Sequence, residues 1–237
     1  IEAVDQLLRV GEISPTSQYR QVAEFDAASY LLQAEQWPRA LEVLTDYRKR
    51  YDPKREDLEV TGKMIAAYEG LEQLDKAADE LQYVVDNATD PEKKRQALYL
   101  SAEYYERAGE DAKALAMFKR YAHQYPKPFD LAMETRFRLS EMYKKAGDDY
   151  RRRYWLDKII VADAKAGDDR NDRSKYLAAY SRNIFAQDYM DEFVAIELTQ
   201  PLAKSIKKKR EAMELVLKKY QQVMDYHCLL YTSPSPR

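Results

Sequence analysis

The alanines at positions 3, 40, 77 and 114 recur every 37 residues, and each opens the same short pattern. Four residues on stand Leu7, Leu44, Leu81 and Phe118, and three further come Val10, Tyr47, Val84 and Tyr121. Nine residues before the last three alanines stand Leu31, Tyr68 and Tyr105. The same 9-4-3 spacing returns with Tyr143, Arg152, Leu156 and Ile159, and more loosely with Tyr180, Tyr189, Phe193 and Ile196. Self-similarity of this kind builds a chain from repeated supersecondary units. Residues four and three apart share a helix face, so each 4-3 set predicts the buried stripe of a second helix. The residue nine earlier then belongs to a first helix that ends in a short turn. Alanine at the head of the stripe lets the paired helix approach closely.

Helix-end chemistry agrees with that division. Asp90-Pro91 offers an N-cap followed by proline at the first helical position. Gly109 and Gly147 sit where first helices should stop, and Pro15, Pro38 and Pro126 fall at element boundaries. Only 6 Gly and 9 Pro appear beside 20 Tyr in 237 residues. Runs of Val, Ile and Thr bounded by turn residues are nearly absent, so helix is expected almost throughout. A single helix hairpin cannot bury its apolar face, so the units must stack on one another.

The best copy of the unit is Leu98, Ser101, Ala102, Tyr105, Gly109, Ala114, Phe118, Tyr121 and Pro126. It resembles the tetratricopeptide repeat (TPR), whose pattern reads W-x2-L-G-x2-Y, A-x3-F and P. The Trp is missing, Ala102 stands in for the packing Gly, and Arg152 replaces the signature Ala in a later copy. The resemblance implies an all-α fold, a right-handed α-solenoid of TPR-like helix hairpins with longer C-terminal helices. Since 37 exceeds the usual 34, three extra residues are expected in each inter-repeat loop, such as Asp52-Pro-Lys-Arg-Glu56. Residues 1–165 are expected to form the array, entering mid-repeat at Ile1, with the parent protein extending in both directions. Residues 172–227 are expected to form a long-helix hairpin that continues or caps it. The tail Cys228–Arg237 resembles translated adapter sequence and is expected to be non-native, with a native disordered tail as the alternative.

Composition closes off several function classes. Charged residues make up 34% of the chain with a net charge of only -2, so no field draws the whole protein to nucleic acid. No apolar run approaches the length of a membrane span. One cysteine permits no internal disulfide and no cysteine-rich metal site. His123 lies between Tyr121 and Tyr125, where packing or solvent exposure is the expected role. The acids Glu134, Glu141, Asp148 and Asp149 read as helix-face charges. The run Asp168, Asp169, Asn171, Asp172 invites a calcium reading, but alternate ligands stop at Arg173 and the required Gly and final Glu are missing. The stretch Lys207-Lys-Lys-Arg210 suits an acidic partner, an anionic membrane or nucleic acid, yet Glu211 and Glu214 make it a mixed-charge helix face. Arg151-Arg152-Arg153 reads as a solvated or inter-helix feature. No catalytic residues, no metal and no cofactors are expected.

The family binds partners on a concave face lined by first helices. Carried over, positions six and two before the signature aromatic and two after it should face that groove. They are Tyr99, Glu103 and Arg107 in one unit and Phe137, Glu141 and Lys145 in the next. Chaperone-tail-binding members carry Asn two positions before the aromatic, where this chain has Ser29, Ala66, Glu103 and Glu141, so that subtype is disfavoured. The expected function is a non-enzymatic protein-interaction scaffold for a partner protein, peptide or helix. Met117-Phe-Lys-Arg-Tyr121, Gln124-Tyr-Pro126 and Arg136-Phe-Arg-Leu-Ser-Glu-Met-Tyr143 resemble bacterial periplasmic and outer-membrane-associated repeat proteins of assembly or energy coupling. A cytoplasmic regulatory module docking on an enzyme or transcription factor is the alternative, and an accessory domain of an enzyme a third.

Overall fold

The computed structural model describes residues 2–51 and 58–226. Among these residues every regular element is helical. The chain divides into two compact units, Ile1–Tyr121 and Ala122–Arg237. The first holds α1 (Glu2–Ile13), α2 (Arg20–Gln33), α3 (Trp37–Tyr51), α4 (Leu58–Gly70), α5 (Leu74–Asn87), α6 (Pro91–Arg107) and most of α7 (Asp111–Gln124). The second holds α8 (Phe129–Lys145), α9 (Asp149–Ala164), a 3-10 turn at Gly167–Asp169, α10 (Asp172–Ala195) and α11 (Leu202–Met224). From α1 to α6, and again from α8 to α11, each helix packs on the next. First helices also touch one another, α2 on α4 and α8 on α10. This is the TPR-like stack of helix hairpins that the repeat predicts.

One backbone device makes the turns of the hairpins α2–α3, α4–α5, α6–α7 and α8–α9. The amides of Gln36, Gln73, Glu110 and Asp148 donate to the carbonyls of Leu31, Tyr68, Tyr105 and Tyr143, each at 2.9 Å. The residue before each donor, Glu35, Glu72, Gly109 or Gly147, has positive φ. Its own amide donates three residues back, so each turn is a Schellman motif. The donor's carbonyl then accepts from Ala40, Ala77, Ala114 or Arg152, the first hydrogen bond of the following helix. A span of five residues across the turn plus four along the new helix is the nine-residue spacing seen in the sequence. Only two of the four left-handed positions are glycine.

The core follows the repeat closely in its middle copies. Ala40, Leu44, Tyr47, Ala77, Leu81, Ala114, Phe118, Tyr121, Leu156 and Ile159 are buried, as are the first-helix residues Leu31, Tyr105 and Tyr143. Asp90 caps α6 by accepting from the Glu92 amide at 2.9 Å, with Pro91 at the first helical position. Departures have physical causes. Ala3 is exposed and Val4 takes the buried place, in one cluster with Ala27 and Leu31 of α2 and Ala40 of α3. Val85 is buried and Val84 half-buried. Arg152 keeps its guanidinium in play by pairing with Asp149 at 3.6 Å, and Trp155 fills the core beside it.

One expectation is corrected. The 37-residue period is not made by longer loops throughout. Three residues link α5 to α6, while α6 runs 17 residues against 13 in α4, so in that repeat the extra length lies in the first helix. The loosest recurrence falls on one helix: Tyr180, Tyr189 and Phe193 all lie on the uninterrupted 24-residue α10. Between Tyr180 and Tyr189 there is no Gly or Pro to break the helix. The loop Asp52–Glu56, the tail Cys228–Arg237 and Ile1 lie outside the described residues.

Candidate partner-binding surface

Helix α6 places Tyr99 half-buried, with its ring edge-on to Phe118 at 6.0 Å and to Tyr121 at 5.2 Å. Glu103 is half-buried one turn further on, and Arg107 is exposed with its guanidinium 5.7 Å over the Tyr104 ring. In the second unit, Phe137 on α8 packs edge-on to Tyr180 of α10 at 5.6 Å, and the Arg173 guanidinium lies 5.8 Å over its ring. Glu141 has one carboxylate oxygen 3.7 Å from Lys144, while its buried Oε1 has no hydrogen-bond partner. Lys145 is exposed. Within each unit the three residues share a helix face, as their spacing requires. The two aromatics, however, are held by their neighbours' rings, so they belong to the scaffold as well as to its surface.

The same face of α2 and α4 holds residues that the sequence reading did not single out. Phe25 occupies the position of Tyr99 and Phe137 in its own repeat and packs on Tyr47 at 5.9 Å, as Tyr99 packs on Tyr121. Lys63 reaches across from α4, donating to Ser29 Oγ at 2.8 Å with its ammonium 4.6 Å from the Phe25 ring centroid. Between Phe25 and Tyr99 in the repeat series stands Gly62, exposed, where an added Cβ meets nothing within 4 Å. Six-before-aromatic spacing was the available signal for Phe25. Further along, Tyr104 on α6 donates to Glu69 on α4. Burial, reinforced by that carboxylate, pushes the Tyr104 phenol up to about 12. Tyr105 is raised in the same way, chiefly by burial and then by its hydrogen bond to Asp79.

Several of the acids weighed for other chemistry hold the fold together. Glu134 accepts from Arg173 of α10 at 2.5 and 3.0 Å. Asp148 caps α9 through the Arg151 amide at 2.9 Å, and Asp149 is held below the usual carboxylate range by Arg153. In the suggested calcium run, Asp169 pairs with Lys127, Asp172 with Lys175, and Asn171 caps α10 in a reciprocal bond with Ser174. Fully buried Asp163 accepts from Ser174 at 2.7 Å and pairs with Arg170 at 2.9 Å, fixing the α9–α10 connection. His123 is exposed and lies 5.4 Å from the Trp155 ring. Arg153 bridges α9 to Asp188 of α10. Among the described residues no group of three or more His, Cys, Asp or Glu converges on a metal position. No helix among them is long and apolar enough to cross a membrane.

No protein-family model matches the chain, and no curated protein matches it. Solved structures similar to it include the TPR-like repeats of a putative kinesin light chain from Podosopora anserina, 16% identical over 86% of this chain and 95% of that one, with a TM-score of 0.41. MamA MSR-1 C2 is 19% identical, covering 82% of this chain and 97% of its own, with a TM-score of 0.39. BtubC (BKLC) from P. vanneervenii is 13% identical over 100% of this chain and 91% of that one, with a TM-score of 0.40. At such scores these likenesses add nothing to the helix pairing visible in the chain itself.

Proposed function

We propose that the chain is a protein-interaction scaffold that takes a partner peptide or helix on the face of its first helices. The observation that carries this reading is the first-helix face within each unit, where half-buried Tyr99 and Phe137 stand beside exposed Arg107 and Lys145. Tyr99, Glu103 and Arg107 on α6, and Phe137 and Lys145 beside Glu141 on α8, supply aromatic surface and mixed charge of the kind that anchors a peptide. The scaffold works by binding alone, with no cofactor, and a hydrolytic activity of the purified chain would contradict it.

The same proposal sets the protein at the bacterial cell envelope, in assembly or energy coupling, on the resemblance of the Met117–Tyr121 and Arg136–Tyr143 segments. A photo-crosslinking amino acid placed at Arg107 or Lys145 tests the face. Both positions should give protein adducts in cells, and the exposed second-helix position Asp157 should not. Equal labelling from Asp157 would remove the first-helix face as the site. Adducts drawn only from the cytosolic fraction would remove the envelope setting and leave the scaffold.

A further inference from the structure

Second helices α3 and α5 each lie between two first helices, α3 between α2 and α4, and α5 between α4 and α6. The stripe Ala40, Leu44 and Tyr47 on α3 is closed from both sides. Ala27, Ala28 and Leu31 of α2 meet it in front, and Val60 and Met64 of α4 behind. Helix α1 carries the same stripe 37 residues earlier, as Ala3, Leu7 and Val10. It has α2 after it, and no first helix before it among the described residues. Ala40 is fully buried, whereas Ala3 is exposed and Leu7 and Val10 are half-buried.

The edge of α2 is open in the same way. Tyr30 stands 37 residues before Ala67, which stands 37 before Tyr104. Ala67 is fully buried, and Tyr104 reaches back to Glu69 on the first helix before its own. Tyr30 is 51% exposed, and its hydroxyl has no hydrogen-bond partner among the described residues. Asp26 holds the place of Lys63, which reaches back from α4 to Ser29 of α2. Asp26 is exposed and in no ion pair among the described residues. Between the two open edges lies a cleft of about 280 Å3, lined by Ala3, Val4, Tyr30, Leu31, Gln33 and Ala34.

We infer that this cleft docks a partner's amphipathic helix built like the chain's own first helices. Its length is 13 to 17 residues, as in α2, α4 and α6. Its apolar stripe closes Ala3, Leu7 and Val10, continuing the packing that α2 gives α3. The repeat register also fixes its polar residues. An acid stands opposite Tyr30, as Glu69 stands opposite Tyr104. Three residues before that acid a base meets Asp26, in the place that Ser29 takes opposite Lys63. Helices α2, α4, α6, α8 and α10 are already packed on helices of their own chain, so a second folded copy does not supply the occupant. The site lies at the α1 edge of the stack and makes no use of Tyr99 or Phe137.

The test uses the full chain and a synthetic peptide of residues 58–73, which is α4 with its turn. The peptide carries Ala66→Lys, so that a base stands three residues before Glu69. Fluorescence anisotropy should show saturable binding of this peptide and none of a scrambled peptide of equal composition. Ala3→Trp fills the cleft from an exposed position and should weaken binding at least about tenfold, with the thermal melt of the parent. Tyr30→Phe should weaken it about fivefold, the worth of one hydrogen bond. Asp26→Lys should weaken it about tenfold, by setting like charges together. No saturable binding, equal binding of the scrambled peptide, or indifference to Ala3→Trp would overturn the proposal. Binding that ignores both Tyr30→Phe and Asp26→Lys would overturn the register. A dimer in sedimentation velocity that Ala3→Trp abolishes would overturn the proposal too, since a second copy would then fill the cleft.

Discussion

The amide of Gln73 donates to the carbonyl of Tyr68 at 2.9 Å, and to close that bond Glu72 between them takes a φ of 56°. Gln36, Glu35 and Leu31 repeat the arrangement 37 residues earlier, with a φ of 55° at Glu35. Gly109 and Gly147 fill the same place in the next two hairpins. An L residue with a side chain pays roughly 1–2 kcal/mol in this conformation, which glycine avoids. Glu35→Gly and Glu72→Gly should therefore each stabilise the chain by about 0.5–1 kcal/mol. Gly109→Ala should cost about 1 kcal/mol. Urea midpoints at constant m-value check all three, and a loss of stability in both Glu→Gly variants would contradict the account.

Gly62 presents the opposite case. It sits inside α4 with no positive φ, is exposed, and an added Cβ meets nothing within 4 Å. Glycine there weakens the helix without relieving any contact. Gly62→Ala should gain about 0.5–1 kcal/mol in chemical denaturation. If the open spot instead receives a partner, the same variant will be more stable and bind more weakly, a combination that packing alone does not produce.

Most of the fold was legible because the turn and the buried stripe share one repeat. The 9-4-3 spacing was visible as residue types, and the structure explains it as a Schellman turn followed by the first turn of a helix. The turns at Glu35 and Glu72 were less legible, since glutamate gives no sign of a left-handed backbone. For the surface, spacing placed Tyr99 and Phe137 on the right faces but could not say what their rings touch. Lys63 over Phe25 depends on which neighbouring helix packs beside α2.

Phe137 and Tyr180 show how that matters for the candidate surface. Their rings meet edge-on at 5.6 Å, joining α8 to α10. Aromatic pairs in this geometry couple by about 0.5–1.5 kcal/mol beyond burial. A double-mutant cycle with Phe137→Leu and Tyr180→Leu, read by urea denaturation, should return a coupling in that range. Additive losses would mean that Phe137 is held by other contacts and that its ring is available to a partner without disturbing α10.

Alkaline titration reads the joints that α6 makes with α4 and α5 in the other unit. Tyr104 donates to Glu69, and buried Tyr105 donates to Asp79 at 2.5 Å while accepting from Gln82 at 2.6 Å. Ionising either phenol removes the donated proton and sets a phenolate against a carboxylate. Burial first, and then these hydrogen bonds, raise both phenols above their ordinary value of 10, Tyr104 to about 12. Because the folded state holds these protons more tightly than the unfolded one, their contribution is complete below pH 10. It is lost as pH climbs from 10 through about 12. Tyr104→Phe should cost about 1 kcal/mol at neutral pH by leaving Glu69 without its donor. It should also flatten the fall in urea midpoint above pH 10, and the phenolate absorbance step missing from the variant should lie near pH 12. A missing step centred at 10 would show that Glu69 and Tyr104 are not joined in solution.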